Sequence, residues 1–211
     1  MNRAKILKVA WLAIALGVGM ELILVIASLC LRGAPAWKPV LADTAQKVSW
    51  SFFVCVGLAL GTAAAKARAA VMGLAGLLAA PAAFHIARML HKGTLQALDV
   101  AVPVAAAGGV PAVSVLVLIK VVEYAWLGTA LGWLGKRSAT GAAYAGVGLA
   151  TGLACAVLVT WLSLSGAAKP PVAALVSKGI NELLFPMGCS LVLFAAEAAG
   201  RSKGAAGDTG R

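Results

Sequence analysis

Two pairs of opposite charges stand in stretches that are otherwise hydrocarbon-like. Lys120 and Glu123 are three residues apart inside the run LVLIKVVEYAWLGTALGW, and Lys178 and Glu182 are four apart in KGINELLFPMGCSL. These spacings bring two side chains onto one face of a helix, so each lysine is expected to meet the glutamate that follows it. Glu21 lies in a third apolar run with no basic residue three or four positions away. An ionised group at the centre of a bilayer costs at least about 2.5–3.5 kcal/mol on insertion scales. Such residues therefore face protein or water, and by default they mark an ion or solute path.

With both pairs closed locally, Glu21 is expected to be protonated, hydrated or paired with a cation from another helix. Three acids against two lysines leave one negative charge in excess, which is the stoichiometry of a site for a proton or a monovalent cation. Helix 6 adds Pro186, which has no N–H and so strips the carbonyl of Glu182 of its helical partner. Asn181 stands beside that carbonyl in sequence. Interrupted helices with freed carbonyls build ion sites near the midplane of many transporters, although a proline can also serve packing alone.

The elements that must position these residues follow from composition. The chain has 211 residues, 62% of them hydrophobic and 12% charged, with a mean hydropathy of +0.95. Soluble domains are about half apolar and a quarter charged, so this composition indicates an integral membrane protein. About 20 apolar residues cross a bilayer core as a helix. Six stretches qualify: Ile6 to Leu31, Val48 to Ala65, Ala69 to Leu90, Val110 to Leu134, Ala139 to Leu162 and Val172 to Ala196. The runs are unbroken, without the alternation of membrane strands. The expected fold is all-α, a polytopic bundle of about six transmembrane helices forming one domain over residues 1–200, with a disordered cytoplasmic tail over 201–211.

The first apolar run is longer than a signal-peptide core of about 7–15 residues, contains Glu21 and has the bulky Leu29 before Cys30, so it is expected to be a retained helix. Basic residues set orientation, because they are disfavoured in translocated loops. Placing the N-terminus in the cytoplasm puts ten of them inside, among them Arg3, Lys5, Arg68 and Lys136. It puts six outside: Arg32, Lys38, Lys47, Arg88, Lys92 and Lys169. Both termini are thus expected in the cytoplasm of a cell membrane, of the bacterial inner-membrane type by its compact, Ala-rich style. The loop RGAPAWKPVLADTAQK is expected to lie at headgroup level around Trp37. The segment Leu95–Gly109 is expected to be either interfacial or re-entrant.

The net charge of +11 sits in flanks and short loops, so anionic lipid headgroups explain it better than nucleic acid, which is not an expected partner. Gly57 and Gly61 in helix 2, and Gly148 and Gly152 in helix 5, form small-residue faces for close helix packing. Such faces serve contacts within one chain or between subunits of a homo-oligomer. Helices 4 and 6 share a faint Lys, Glu, Gly repeat, too short to establish duplicated halves. The four cysteines, Cys30, Cys55, Cys155 and Cys189, form no Cys-x-x-Cys pair and read as small apolar residues. His85 and His91 are six apart and point to different faces, so no metal or other cofactor is expected. Phosphate-binding, zinc-protease and serine-hydrolase motifs are absent, which weighs against an enzyme. Two functions remain. One is a small transporter or channel moving a proton, cation or small solute past Glu21, Lys120, Glu123, Lys178, Asn181 and Glu182. The other is a scaffold or accessory subunit that docks a partner through the same residues.

Overall fold

A computed structural model of the chain describes residues 3–64, 66–101, 113–137, 139–166 and 170–208. Its described residues form six helices and no strand: α1 (Arg3–Arg32), α2 (Trp37–Gly61), α3 (Arg68–Ala97), α4 (Val113–Lys136), α5 (Gly141–Leu164) and α6 (Val172–Asp208). Five of them, α1, α3, α4, α5 and α6, are long and apolar enough to cross a membrane.

α2 falls below that measure, and what it corrects is the expected start of the helix. Hydropathy starts this helix at Val48, but its backbone is helical from Trp37, so the supposed headgroup loop is mostly the first three turns of α2. Pro39 fits there because backbone N–H groups in a first turn have no intrahelical acceptor to lose. Lys38, Asp43, Gln46 and Lys47 lower the hydropathy of this half, yet Ala42 between them is fully buried. Lys47 meets Glu21, Lys38 meets the end of α3, and Asp43 meets His91. α3 likewise runs two turns past its expected end, to Ala97. There Val100 N–H bonds Leu95 O at 2.9 Å and Asp99 N–H bonds Gln96 O at 3.2 Å, a paired cap with Asp99 in the left-handed region at φ 51°. Residues 95–97 of the uncertain segment Leu95–Gly109 are therefore helical, and 102–109 lie outside the described residues. α6 continues to Asp208, past the point where a disordered tail was expected, and 209–211 lie outside the described residues.

Consecutive helices run antiparallel, and side chains tie their ends together. Lys38 at the start of α2 donates to Leu98 O after α3 at 2.8 Å. Lys5 in the first turn of α1 donates to Thr62 after α2 at 3.0 Å, and Lys136 at the end of α4 donates to Lys66 O before α3 at 2.9 Å. The helices close a ring in chain order, α1 packing on both α2 and α6, while α6 also touches α2 and α4 across the middle. The seam between α4 and α5 is the loosest of the ring.

Packing inverts the pattern of a soluble protein. The outer surface carries Trp11, Leu22, Ile26, Leu78, Leu118, Trp126 and Trp161, whereas Glu21, Glu123, Glu182 and Glu197 are only 5%, 2%, 7% and 8% exposed. Apolar faces outside and acids inside fit a bilayer as solvent, because the acids find partners only in the interior.

Glycines set the close approaches. A Cβ on Gly57 would lie 2.6 Å from Ala79 Cβ, and one on Gly61 2.8 Å from Met72 Cα, so this face packs on α3. A Cβ on Gly148 would lie 2.5 Å from Met187 Cα, and one on Gly152 2.8 Å from Glu182 O, so the second face packs on α6. Both faces are consumed within the chain. The α3–α4 seam uses a further set absent from the sequence analysis, Gly73, Gly76, Gly128 and Gly132, each against backbone or side chain of the facing helix.

Candidate functional site

Glu21 finds its partner on α2. Gly17, one turn earlier on the same face of α1, lets the backbones approach until a Cβ there would lie 2.5 Å from Val48 Cα. The residue next to Val48 is Lys47, whose Nζ stands 2.5 Å from Glu21 Oε2. Lys47 therefore belongs to the interior and not to an outer loop. Removing one member of a buried pair strands the other charge at a cost of about 3–5 kcal/mol, more than the pair itself contributes. Lys47→Met is accordingly expected to lower the detergent-unfolding midpoint of the purified protein, and Glu21→Gln in the same chain to recover most of that loss.

Lys120 on α4 is the hub of a second group. Its ammonium lies 2.7 Å from Glu123 Oε2 one turn along α4, and it also pairs with Glu182 Oε2 of α6. The ammonium sits over the rings of Trp50 and Tyr124, at 5.9 and 5.8 Å from their centroids, where the ring faces favour a cation. Trp50 Nε1 donates to Tyr124 Oη at 3.3 Å, and the two rings meet edge to face. One amine thus ties α4 to α6 and rests on an aromatic floor drawn from α2 and α4.

The expected Lys178–Glu182 pair is not formed, because Glu182 is taken by Lys120. Lys178 instead donates to the Ser163 hydroxyl of α5 at 3.1 Å. Asn181 Oδ1 is buried without a hydrogen-bond partner. α6 runs unbroken through Pro186, which is buried. The carbonyl that Pro186 frees at Glu182 faces the α5 backbone at Gly152, so it serves the α5–α6 contact.

These groups meet around one cavity of about 490 Å³. Lys47, Lys120 and Lys178 line it together with Asn181 and Glu182, and Gln46, Asp43 and Ser177 add polar groups. Trp50, Phe84 and Phe185 supply an apolar wall. Glu21 lines a smaller adjoining cavity of about 170 Å³ that shares Lys47, Asp43 and Ser177. Glu123 reaches the main cavity only through Lys120, and otherwise lies under a separate apolar cleft between α4 and α5. At the rim, His91 of α3, expected in a loop, lies 3.1 Å from Asp43 Oδ1 of α2, itself expected in a loop. The charge count also changes. Lys47 joins Lys120 and Lys178, and Asp43, beside His91, joins Glu21, Glu123 and Glu182, so the group holds three lysines and four carboxylates.

A third group lies at the opposite end of the bundle. Arg68 at the start of α3 pairs with Glu197 of α6, whose other oxygen accepts from Tyr144 of α5 at 3.0 Å. Glu197 is buried among these partners. Between the two polar ends runs a packed core that includes Leu58, Leu127 and Leu131. Cys55 and Cys189 face each other there across α2 and α6, with their sulfurs 3.3 Å apart. Among the described residues no group of three or more His, Cys, Asp and Glu side chains is placed to hold a metal ion. The arrangement can hold a polar solute away from lipid, with amines, amides and carboxylates on one side and aromatic rings on the other. Comparison with protein-family models, with curated proteins and with solved structures yields no match.

Proposed function

We propose that this chain is a small membrane transporter whose binding site for an ion or small solute is the cavity around Lys120. The path is lined by Lys120, Lys178, Asn181 and Glu182, with Glu21 and Glu123 setting its charge through Lys47 and Lys120. One observation carries this reading: a cavity of about 490 Å³ lined by three lysines lies inside a bundle whose outer face is apolar. A chain that used the same residues only to fix helix register would be expected to close them against one another, because open space between side chains forfeits packing contacts. Ionisable groups at membrane depth beside open space are by default a functional site.

The transporter sits in a bacterial inner membrane with both termini in the cytoplasm. Moving Lys47 to the interior leaves ten basic residues on the cytoplasmic side against five outside, which strengthens the bias. The Arg68–Glu197–Tyr144 group then closes the cytoplasmic end while the cavity lies toward the outer end.

The test is flux in proteoliposomes. The parent protein is expected to release a trapped solute or dissipate an imposed ion gradient, and Glu182→Gln, checked for folding, to lower the rate at least tenfold. If the parent carries no flux and Glu182→Gln instead detaches a co-purifying partner, the alternative of a scaffold or accessory subunit is correct.

A further inference from the structure

The charges around the cavity are not equally occupied. Lys47 is taken by Glu21, Lys120 by Glu123 and Glu182, and Asp43 by His91. Among the described residues, Lys178 is the one cavity lysine with no carboxylate at ion-pair distance, its ammonium being held only by the Ser163 hydroxyl. Asn181 stands three residues further along α6, on the same face and in the same cavity wall. Its Oδ1 is a buried acceptor with no donor, a state that costs about 1–3 kcal/mol while it lasts. An unclaimed cation and, three residues on, an unfilled acceptor lying just beneath the cavity surface therefore share one wall of α6, with Glu182 beside them. Across the cavity Trp50 and Phe84 meet edge to face, with centroids 6.4 Å apart, and Phe185 completes an apolar surface.

Resting on the reading of this cavity as a solute site, we propose that it takes a small zwitterion of the amino-acid type. The anionic group binds Lys178, the ammonium donates to Asn181 Oδ1 and approaches Glu182, and an apolar or aromatic body lies against Trp50, Phe84 and Phe185. Size agrees, since about 490 Å³ falls in the roughly 300–1,000 Å³ range of sites for small organic molecules. The chemistry also excludes simpler occupants. A plain cation would leave Lys178 without a counter-charge, and a plain anion would leave Asn181 Oδ1 without a donor. A zwitterion satisfies both ends at once, and a site built to hydrogen-bond a group discriminates strongly against analogues that lack it.

The test is calorimetric titration of the purified full chain with three probes that share one body: phenylalanine, phenethylamine without the carboxylate, and 3-phenylpropionate without the amine. Phenylalanine is expected to bind at least tenfold more tightly than either analogue. Lys178→Met is expected to bring phenylalanine down to the level of phenethylamine, and Asn181→Leu to the level of 3-phenylpropionate. Equal affinity for all three, tighter binding of either analogue, or no binding of any probe overturns the assignment. The proposed transport activity fails separately: zwitterion binding without flux in proteoliposomes would leave the site intact and remove transport, while flux of a simple ion with no zwitterion preference would do the reverse.

Discussion

Lys120→Met is expected to be the most damaging single charge deletion in this protein. The substitution keeps much of the side-chain volume but leaves the carboxylates of Glu123 and Glu182 facing each other in the interior with no ammonium between them. Each is buried, at 2% and 7% exposure, and like charges in a poorly solvated site repel strongly. Stranding one buried charge already costs about 3–5 kcal/mol, so the variant is expected to lose at least that and to unfold in detergents that the parent tolerates. The same lysine joins α4 to α6 and rests on Trp50 and Tyr124, so the loss is not confined to two residues. Adding Glu123→Gln and Glu182→Gln to Lys120→Met is expected to restore folding but not solute binding. A titration of unfolding against denaturing detergent, run on all three chains, reads this directly. If Lys120→Met is as stable as the parent, the hub assigned to Lys120 is wrong.

The second large effect is expected at Gly152. A methyl group there would begin 2.8 Å from the Glu182 carbonyl oxygen and 3.0 Å from the Leu183 carbonyl carbon, and backbone atoms cannot rotate aside. α5 and α6 must then separate, which loosens the Ser163 hydroxyl from Lys178 and unseats the wall that carries Asn181 and Glu182. Overpacking of this kind costs about 1–3 kcal/mol and more when the obstacle is main chain. Gly152→Ala is expected to lower the unfolding midpoint, and Gly152→Leu to give protein that does not run as a single species on size exclusion. Gly146 lies on the same helix, and a Cβ built there meets nothing within 4 Å. Gly146→Ala is therefore expected to be neutral or slightly stabilising through helix propensity alone. The contrast between the two glycines separates packing from propensity.

Much of this architecture is legible from hydropathy, because five of the helices are long apolar runs that nothing else explains. What hydropathy misplaces is the start of α2 and the end of α3. It scores Lys47 and Asp43 as water-seeking, whereas Glu21 and His91 receive them inside the bundle and at its rim. Local spacing finds Lys120 with Glu123, since one helical turn suffices to join them. It fails for Lys178 and Glu182 because a neighbouring helix offers Glu182 a closer amine, and spacing along one helix contains no record of that neighbour. The cross-helix pairs Glu21–Lys47, Lys120–Glu182 and Arg68–Glu197 depend on helix register, which small residues set at the crossings. One partial signal was available. Gly17 precedes Glu21 by four residues on the same face, which marks a close crossing beside a buried acid. Two further arrangements have no local signature: the cavity itself, and the Cys55–Cys189 contact between helices far apart in sequence.

The central claim is that the interior around Lys120 is wetted and used. Ser177→Cys, in a chain whose four native cysteines are replaced by serine or alanine, places a thiol in the cavity wall and tests that claim most directly. Proteoliposomes carrying this variant would be treated with a charged, membrane-impermeant thiol reagent, and the modified fraction compared with residual flux. Modification within minutes, with flux falling in proportion to the fraction modified, is the predicted result. A thiol that stays unmodified in the folded protein, or full modification with flux unchanged, would contradict a permeation path through this cavity.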